Sequence, residues 1–356
     1  MHMNNFFRII GILCLSATIS CNNSKKSFSL IADSQSFQQN NKEVVQRQID
    51  ILWVVDNSGS MAPFQKNLVN NFNSFIQRFI EKGYDFHIAV TTTDAYLSGA
   101  AFTGNMNYSV FRDGVGTTHT GYPIIDPSTP DIMNVFTINA AQGDQGGGDE
   151  RAFDSLKASL QNPANAAFLR PGSYLGVIIL SDEDDFSAGN RPVNSSDHDY
   201  NDPKLSSIDT YVEFLDNLTL SKNKQDRNYN VSAVTVMDKN CLDSHQVDAP
   251  SSTMGKRYID LANKTGGVVA DICSDSYASA LQQIQKKILE LSTEFSLKRK
   301  PRPDSIRISV NGKKIEQDKD NGWTYDKKKN SIRFHGEAIP PKGAEIGIDF
   351  DPEEPL

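Results

Sequence analysis

Apolar and polar positions fall along the chain in blocks that read alternately as strands and helices. Ile51, Leu52, Trp53, Val54 and Val55 form a continuous apolar run that stops at Asp56 and is followed by Asn57, Ser58, Gly59 and Ser60. A run of this length bounded by turn residues predicts a strand buried on both faces of a parallel sheet. Residues 173–180 (SYLGVIIL) are a second such run, and they too end in polar and acidic residues, Ser181, Asp182, Glu183, Asp184 and Asp185. Further strands are predicted over 85–92, 231–237 and 268–272. Between the first two strands, Phe64, Leu68, Phe72, Phe75, Ile76, Phe79 and Ile80 recur at spacings of three and four. They predict one amphipathic helix over 62–82, stopped by Gly83. Other helices are predicted over 151–161, 205–220, 256–265 and 277–294. The alternation predicts an α/β fold over residues 49–296, a doubly wound, mostly parallel sheet.

Two stretches break the alternation. Residues 94–148 are rich in Gly, Thr and Asn, and read as a large surface insertion with short strands around 108–111 and 132–138. Long irregular insertions of this kind are either functional loops or variable decoration. After a basic, proline-punctuated boundary at 298–303 (KRKPRP), apolar residues alternate at Ile306, Ile308 and Val310 and again at Ile346, Ile348 and Phe350, with Asn311-Gly312 between. Period-two patterning with Asn-Gly predicts β-hairpins, hence a small β-strand domain over 304–356 that leans on the larger one.

The chain has 356 residues and a formal net charge of −8, with no concentrated basic stripe, which argues against nucleic acid as a partner. At the N-terminus, Arg8 precedes an apolar segment over 9–19 (IIGILCLSATI), of signal-peptide rather than membrane-spanning length. Ser20, Cys21 and the polar Asn22, Asn23, Ser24, Lys25 and Lys26 follow. This arrangement resembles a bacterial lipobox in which Cys21 is lipidated, although Thr18 stands where that pattern prefers Leu. Residues 1–21 are thus expected to be a lipoprotein signal peptide and 22–48 a flexible tether, with cleavage of a secreted protein nearby as the alternative. The expected location is the cell envelope, anchored to a membrane through lipid. Asn22 lacks the charge of an inner-membrane retention signal, which favours the outer membrane. In that oxidising setting Cys241 and Cys273, each just past a predicted strand, are expected to form a disulfide.

Candidate chemistry gathers at the strand ends. Asp56, Ser58 and Ser60 place a carboxylate and two hydroxyls at alternate loop positions, a hard-oxygen set that suits Mg²⁺, Ca²⁺ or Mn²⁺. The same residues are also ordinary turn and cap chemistry. Residues 143–150 (GDQGGGDE) form a glycine-rich loop entering a helix. It lacks the Lys-Ser/Thr of a phosphate cradle and carries Asp144, Asp149 and Glu150, so it is read as facing a cation. His87, inside a predicted strand, is read as a core or edge histidine.

Taken together, residues 48–296 resemble a von Willebrand factor A (VWA) domain. Asp56-x-Ser58-x-Ser60 is similar to the first loop of that family's metal-ion-dependent adhesion site (MIDAS), and Asp182, after VIILS, is similar to the aspartate of its third loop. SDEDD and the C-terminal segments SIRISVNGKKI, GWTYD and NSIRF are similar to bacterial lipoproteins that carry this domain. The resemblance implies a Rossmann-like fold, a divalent cation, and a role in adhesion to a protein or extracellular-matrix ligand. It implies direct contact of Ser58 and Ser60 with the metal, and contact of Asp56 and Asp182 directly or through water. Asp94, Asp184 and Asp185 are candidate outer ligands or simply solvated loop acids. The second loop departs from the pattern: the family's threonine position falls on Glu150, with Asp149 the alternative. A glutamate there can occupy the coordination position that the family leaves open for a partner's carboxylate, and it suits Ca²⁺ as well as Mg²⁺.

Two other readings compete with adhesion. One is a metal-stabilised structural or assembly component of the envelope. The other is a metal-assisted hydrolase. The sequence offers no nucleophile elbow, no Walker loop and no histidine cluster, and Asp56 lacks a second aspartate two residues on, so the expectation is a protein that is not an enzyme.

Overall fold

The structure is a computed structural model, and it describes residues 37–38, 48–189, 191, 199–221, 227–245 and 252–353. The expected signal peptide, Cys21 and most of the expected tether lie outside these residues. Among the described residues no helix is long and apolar enough to cross a membrane.

A six-stranded, mostly parallel sheet organises the chain. In chain order its strands are β1 (Ile49–Val55), β2 (Phe86–Thr92), β3 (Ile124–Ile125), β4 (Tyr174–Ser181), β5 (Tyr229–Thr235) and β6 (Val269–Asp271). Their spatial order is β3-β2-β1-β4-β5-β6. Only β3 runs antiparallel, pairing Ile88 with Ile125. β1 lies in the middle with β2 on one side and β4 on the other, in register Val55–Thr92 and Val55–Leu180. All seven of its residues are buried, including Asp50, whose carboxylate Arg170 holds at 2.6 Å. Burial on both faces explains the continuous apolar run: helices cover both.

Successive side chains of a strand point to opposite faces. Ile51, Trp53 and Val55 therefore join one core with Phe72, Phe75, Phe79, Leu281, Ile284 and Ile288. Leu52 and Val54 join another with Phe153, Leu156, Tyr211, Leu215, Tyr258 and Leu261. The first face is covered by α1 (Ala62–Asn71), α2 (Asn73–Glu81), α3 (Ile132–Ala140) and α8 (Ala278–Ser292). The second is covered by α4 (Ala152–Gln161), α5 (Ile208–Leu218) and α7 (Lys256–Thr265). α8 lies so close to β4 that a Cβ on Gly176 would sit 2.8 Å from Ile288 Cδ1.

Several elements differ from the sequence reading. The helix expected over 62–82 is two helices that meet at Phe72, and Ile80 is 51% exposed rather than part of the core stripe. The region 94–148 is more than decoration, since it supplies edge strand β3 and helix α3. The expected strand over 132–138 is α3, whose start is capped by the Asp131 carboxylate accepting from Asn134 N. Residues 106–109 are a short 3₁₀ turn rather than a strand. Phe136 of α3 stacks on Phe72 with ring centroids 3.5 Å apart and meets Trp53 at 5.7 Å. Replacing this fully buried ring, Phe136→Ala, is expected to cost about 3–5 kcal/mol in denaturant unfolding. Helix α6 (Lys239–His245) was not anticipated, though Asp238 accepting from Cys241 N at 3.0 Å is an ordinary capping signal.

The C-terminal strands are β7 (Phe295–Ser296), β8 (Arg307–Val310), β9 (Lys313–Ile315), β10 (Trp323–Asp326), β11 (Ser331–Phe334) and β12 (Ile346–Asp349). They form two small antiparallel sheets. The Asn-Gly signal joins β8 to β9, with Asn311 and Gly312 both in the left-handed region that such a turn needs. The strand Phe37–Gln38, within the expected tether, pairs with β12. Ile308, Trp323, Ile332, Phe334 and Ile348 share a core with the face carrying α1, α2 and α8. His335 Nδ1 lies 2.9 Å from Glu290 Oε1 of α8.

Cys241 and Cys273 form a disulfide, with Cα atoms 5.6 Å apart across 32 residues of sequence. It fastens α6 to the loop after β6. The double variant Cys241→Ser/Cys273→Ser is expected to lose about 2–4 kcal/mol of stability in urea unfolding.

Candidate metal centre

The sheet order reverses about β1 and β4. At such a point the loops leaving adjacent strands diverge and open a crevice at the strands' C-terminal ends. β1 ends in Asp56 and β4 leads into Asp182, both fully buried. The two loops are stitched together: Asp56 N donates to Leu180 O at 2.9 Å, and the Ser181 hydroxyl donates to Asp56 Oδ2 at 2.6 Å. Asp56 Oδ1 accepts from Ser58 N at 2.8 Å, which folds the loop back over its own carboxylate. On the far side, Ser252 Oγ donates to Asp182 Oδ2 at 2.7 Å. Ser58 is buried, and Ser60 is half-buried in the turn before α1.

The glycine-rich loop closes over the first loop from a third direction. Gly146 N donates to Asn57 O at 2.7 Å, and a Cβ at Gly146 would sit 2.7 Å from that same oxygen, so the position admits only glycine. Gln65, buried in α1, bridges the two loops by donating to both Asp56 O and Gly143 O at 2.8 Å. Asp94 accepts from Asn57 Nδ2 at 3.1 Å and from Gly147 N, so its carboxylate ties the loops together. Asp149 takes Arg151 at 2.7 Å. That leaves Glu150 as the inward acid of this loop, 1% exposed.

The electrostatics of the cluster are lopsided. Burial first, and then the neighbouring Asp182, push the Asp56 carboxyl up to about 7. Burial likewise holds Glu150 well above the usual carboxylate range, and Asp56, Glu183 and Asp94 add to it, all of them negative. Neither Glu150 oxygen accepts a well-formed hydrogen bond. A hydrogen bond from the Thr93 side chain offsets part of this, and the same hydroxyl also reaches Asn57 Oδ1 at 3.4 Å. The Tyr258 hydroxyl is also buried without a partner, and burial first, then Asp185 and Glu150, raise its pKa.

Asp184 and Asp185 are turned to other work. Burial pushes them up to about 7 and about 6, yet Asp184 accepts from Arg257 N at 3.0 Å. Asp185 accepts from Phe153 N at 3.0 Å and pairs with the Arg257 side chain at 3.3 Å. These bonds hold the starts of α4 and α7.

Oxygen atoms sharing one ion with bonds of about 2.4 Å lie within about 4.8 Å of one another. Among the described residues, the group of three acidic, cysteine or histidine ligand atoms this close is Cys241, Asp271 and Cys273, whose sulfurs are already joined to each other. Asp56, Glu150 and Asp182 do not form such a group, although Asp56 is close enough to feel Asp182 and to weigh on Glu150. Gln65, Asn57, Thr93, Ser181, Ser252 and Tyr258 were not singled out in the sequence. Only Ser181, next to Asp182, and Asn57, next to Asp56, carried a local signal.

No family model matches the chain, and no curated protein matches it. Among solved structures, it is similar to proximal thread matrix protein 1 from the mussel byssus, with 13% identity and a TM-score of 0.33 over 72% of this chain and 50% of that one. It is also similar to the open conformation of the pilus adhesin SpaC from Lactobacillus rhamnosus GG, with 14% identity and a TM-score of 0.35 over 86% of this chain and 39% of that one. The chain thus spans half or less of the length of these structures.

Proposed function

We propose that the chain is an extracytoplasmic, lipid-anchored VWA-type protein that binds one divalent cation at the crest of its sheet and engages a protein or matrix surface there. Its doubly wound sheet is Rossmann-like on this reading. The carrying observation is the convergence of three crossovers on one buried, acidic crevice: Asp56 and Ser58 after β1, Glu150 before α4, and Asp182 after β4. A cluster of buried carboxylates with no basic partner at Asp56 or Glu150 is costly unless protons or a cation neutralise it. Oxygen-only donors select Mg²⁺, Ca²⁺ or Mn²⁺ over softer metals. Because the acids do not form an ion-sized group, binding draws some inward or reaches them through water. The donors after β1 are the direct ligands on this reading, and the site binds and recognises rather than catalyses.

The test is a calorimetric titration of the purified chain with CaCl₂, MgCl₂ and MnCl₂, followed by pull-down of envelope proteins with and without chelator. The expected result is one cation per chain and capture that chelator abolishes. Capture indifferent to chelator, with the cation still bound, would favour the second reading, a metal-stabilised assembly component. Absence of binding for all three cations would refute both.

A further inference from the structure

The fold lays two short basic runs, far apart in sequence, side by side. Residues 298–300 (KRK) follow β7, and residues 327–329 (KKK) lie in the turn between β10 and β11. β7 pairs antiparallel with β11, Ser296 opposite Ser331. The contact continues past the strands. Leu297 N donates to Asn330 O at 2.7 Å, and Asn330 Nδ2 donates to Leu297 O at 2.8 Å and to Arg299 O at 3.2 Å. On the other side of the same run, Glu353 N donates to Lys300 O at 2.9 Å and Arg302 N donates to Asp351 O at 2.7 Å. The segment expected to be a linker is therefore pinned on both sides. The Asp326 carboxylate closes the turn by accepting from Lys328 N and Lys329 N. Lys300, Lys327 and Lys328 are exposed and form no ion pair with the described residues. Lys329 pairs with Glu294 at 3.3 Å, and Arg302 lies 3.6 Å from Asp304. With Asp326 and Glu353, that sets four acids against the seven bases of 298–302 and 327–329, so the patch stays positive.

This patch lies at the end of the main sheet away from the candidate metal centre. The far end of α8 reaches the starts of the strands, where Ile288 packs on Gly176 near the beginning of β4. From there Glu290 meets His335, and Glu294 pairs with Arg333 of β11. Lys342 N donates to Lys82 O, just ahead of β2. The strand Phe37–Gln38 pairs with β12 in the register Phe37–Ile348 and Gln38–Gly347. Followed toward lower residue numbers, it points to Asp349, and so to the 351–353 segment that holds Lys300 and Arg302.

We infer that the paired basic runs dock on the anionic phospholipid headgroups of the membrane that anchors the chain, and so turn the metal centre outward. The inference shares the lipid anchor with the proposed function and does not depend on the cation. The chain as a whole carries a formal charge of −8, so an anionic surface repels it except where bases gather. Each Lys or Arg close to such a surface strengthens binding by about fivefold, within a screening length of about 8 Å at physiological salt. An anchor at Cys21 precedes Phe37 by sixteen residues, which span about 55 Å at full extension. The headgroups therefore stay at high effective concentration around the patch, and a weak contact suffices to orient the domain.

The experiment sediments the full chain, carrying Cys21→Ala so that no acyl group assists, with vesicles of phosphatidylcholine alone or mixed with phosphatidylglycerol. The expected result is binding to the mixed vesicles only, lost at high NaCl. Adding Lys300→Glu, Lys327→Glu and Lys328→Glu together is expected to weaken that binding by about a hundredfold or more. Lys66→Glu, Lys204→Glu and Lys239→Glu together make the same change in net charge at exposed positions elsewhere, and are expected to leave binding within a few-fold. Thermal unfolding, unchanged in both triple variants, shows that the fold is intact. Equal loss of binding in the two triple variants would make net charge responsible and overturn the inference. So would binding to both kinds of vesicle alike, or to neither. The mass of the wild-type chain recovered from cells reads the anchor separately: an unacylated mass beside intact vesicle binding would overturn the anchor and not the patch.

Discussion

Asp56→Asn is expected to leave the fold intact and to abolish the response to divalent cations. In the wild type, Asp56 Oδ1 accepts from Ser58 N and Oδ2 accepts from the Ser181 hydroxyl. Asparagine can keep the first bond through its own oxygen, and its amide can donate to Ser181 once that hydroxyl rotates. What it cannot supply is a negative charge at the end of β1. A ligand present at a hundred times its dissociation constant stabilises a protein by about 2.7 kcal/mol. For a chain of this size that corresponds to a rise of roughly 4 °C in Tm. The wild type should show this rise on adding Ca²⁺, and Asp56→Asn should show none. In chelator the variant should melt at or above the wild type, because the carboxyl it replaces is destabilised by burial and by Asp182. A variant that melts far below the wild type in chelator would mean that Asp56 is chiefly a structural acid.

The second large effect is on pH. Asp56 is raised from 3.8 to about 7 in the folded chain, and Glu150 is raised as well. An acid that holds its proton more tightly when folded contributes stability that is complete below its unfolded pKa. That stability is lost as pH rises through the folded value. The metal-free protein should therefore lose stability between pH 4 and about 7. The gap between 3.8 and about 7 corresponds, at about 1.4 kcal/mol per pH unit, to on the order of 4 kcal/mol for Asp56. Other acids pull the opposite way at lower pH. Asp126, bonded by Ser128, and Glu337, beside Arg78, lie below their usual range and lose their contribution as pH falls through those values. In chelator, Tm should thus be highest in the mildly acidic range. A saturating divalent cation displaces the protons on Asp56 and Glu150, so the decline toward pH 8 should flatten, and titration near pH 6 should release protons. Thermal scans from pH 4 to 8, with and without Ca²⁺, check both. A chelated protein whose Tm climbs steadily to pH 8 would contradict the buried-acid account.

What could be read from the sequence follows from which forces are local. The buried strands were legible because burial on both faces demands an unbroken apolar run, as at Ile51 to Val55, and because the two longest runs stop abruptly at polar or acidic residues, Asp56 and Ser181. Helix α7 was legible because Lys256–Thr265 carries its own period and ends at Gly266 in the left-handed region. Edge strand β3 is two residues long, and its pairing with β2 is invisible without the sheet. α3 was read as a strand because Ile132, Val135 and Phe136 sit amid β-branched and polar residues, while its helical state is fixed by the Asp131 cap and by the contact of Phe136 with Phe72. The break at Phe72 left no local mark, since the apolar spacing continues across it. At the crevice, Asp56, Ser58 and Asp182 announced themselves by their place after a strand. Gln65, Ser252 and Thr93 did not. Gln65 acts on a loop 78 residues away, and Ser252 on an aspartate 70 residues away. Such contacts are properties of the fold, not of any short stretch of chain.

Diffraction from crystals grown with MnCl₂, recorded at a wavelength where manganese scatters anomalously, tests the central claim most directly. The account predicts a single anomalous peak at the C-terminal ends of β1 and β4, within about 2.0–2.6 Å of the hydroxyls of Ser58 and Ser60. A crevice with no peak, or a peak bound only by surface carboxylates away from those serines, would contradict it.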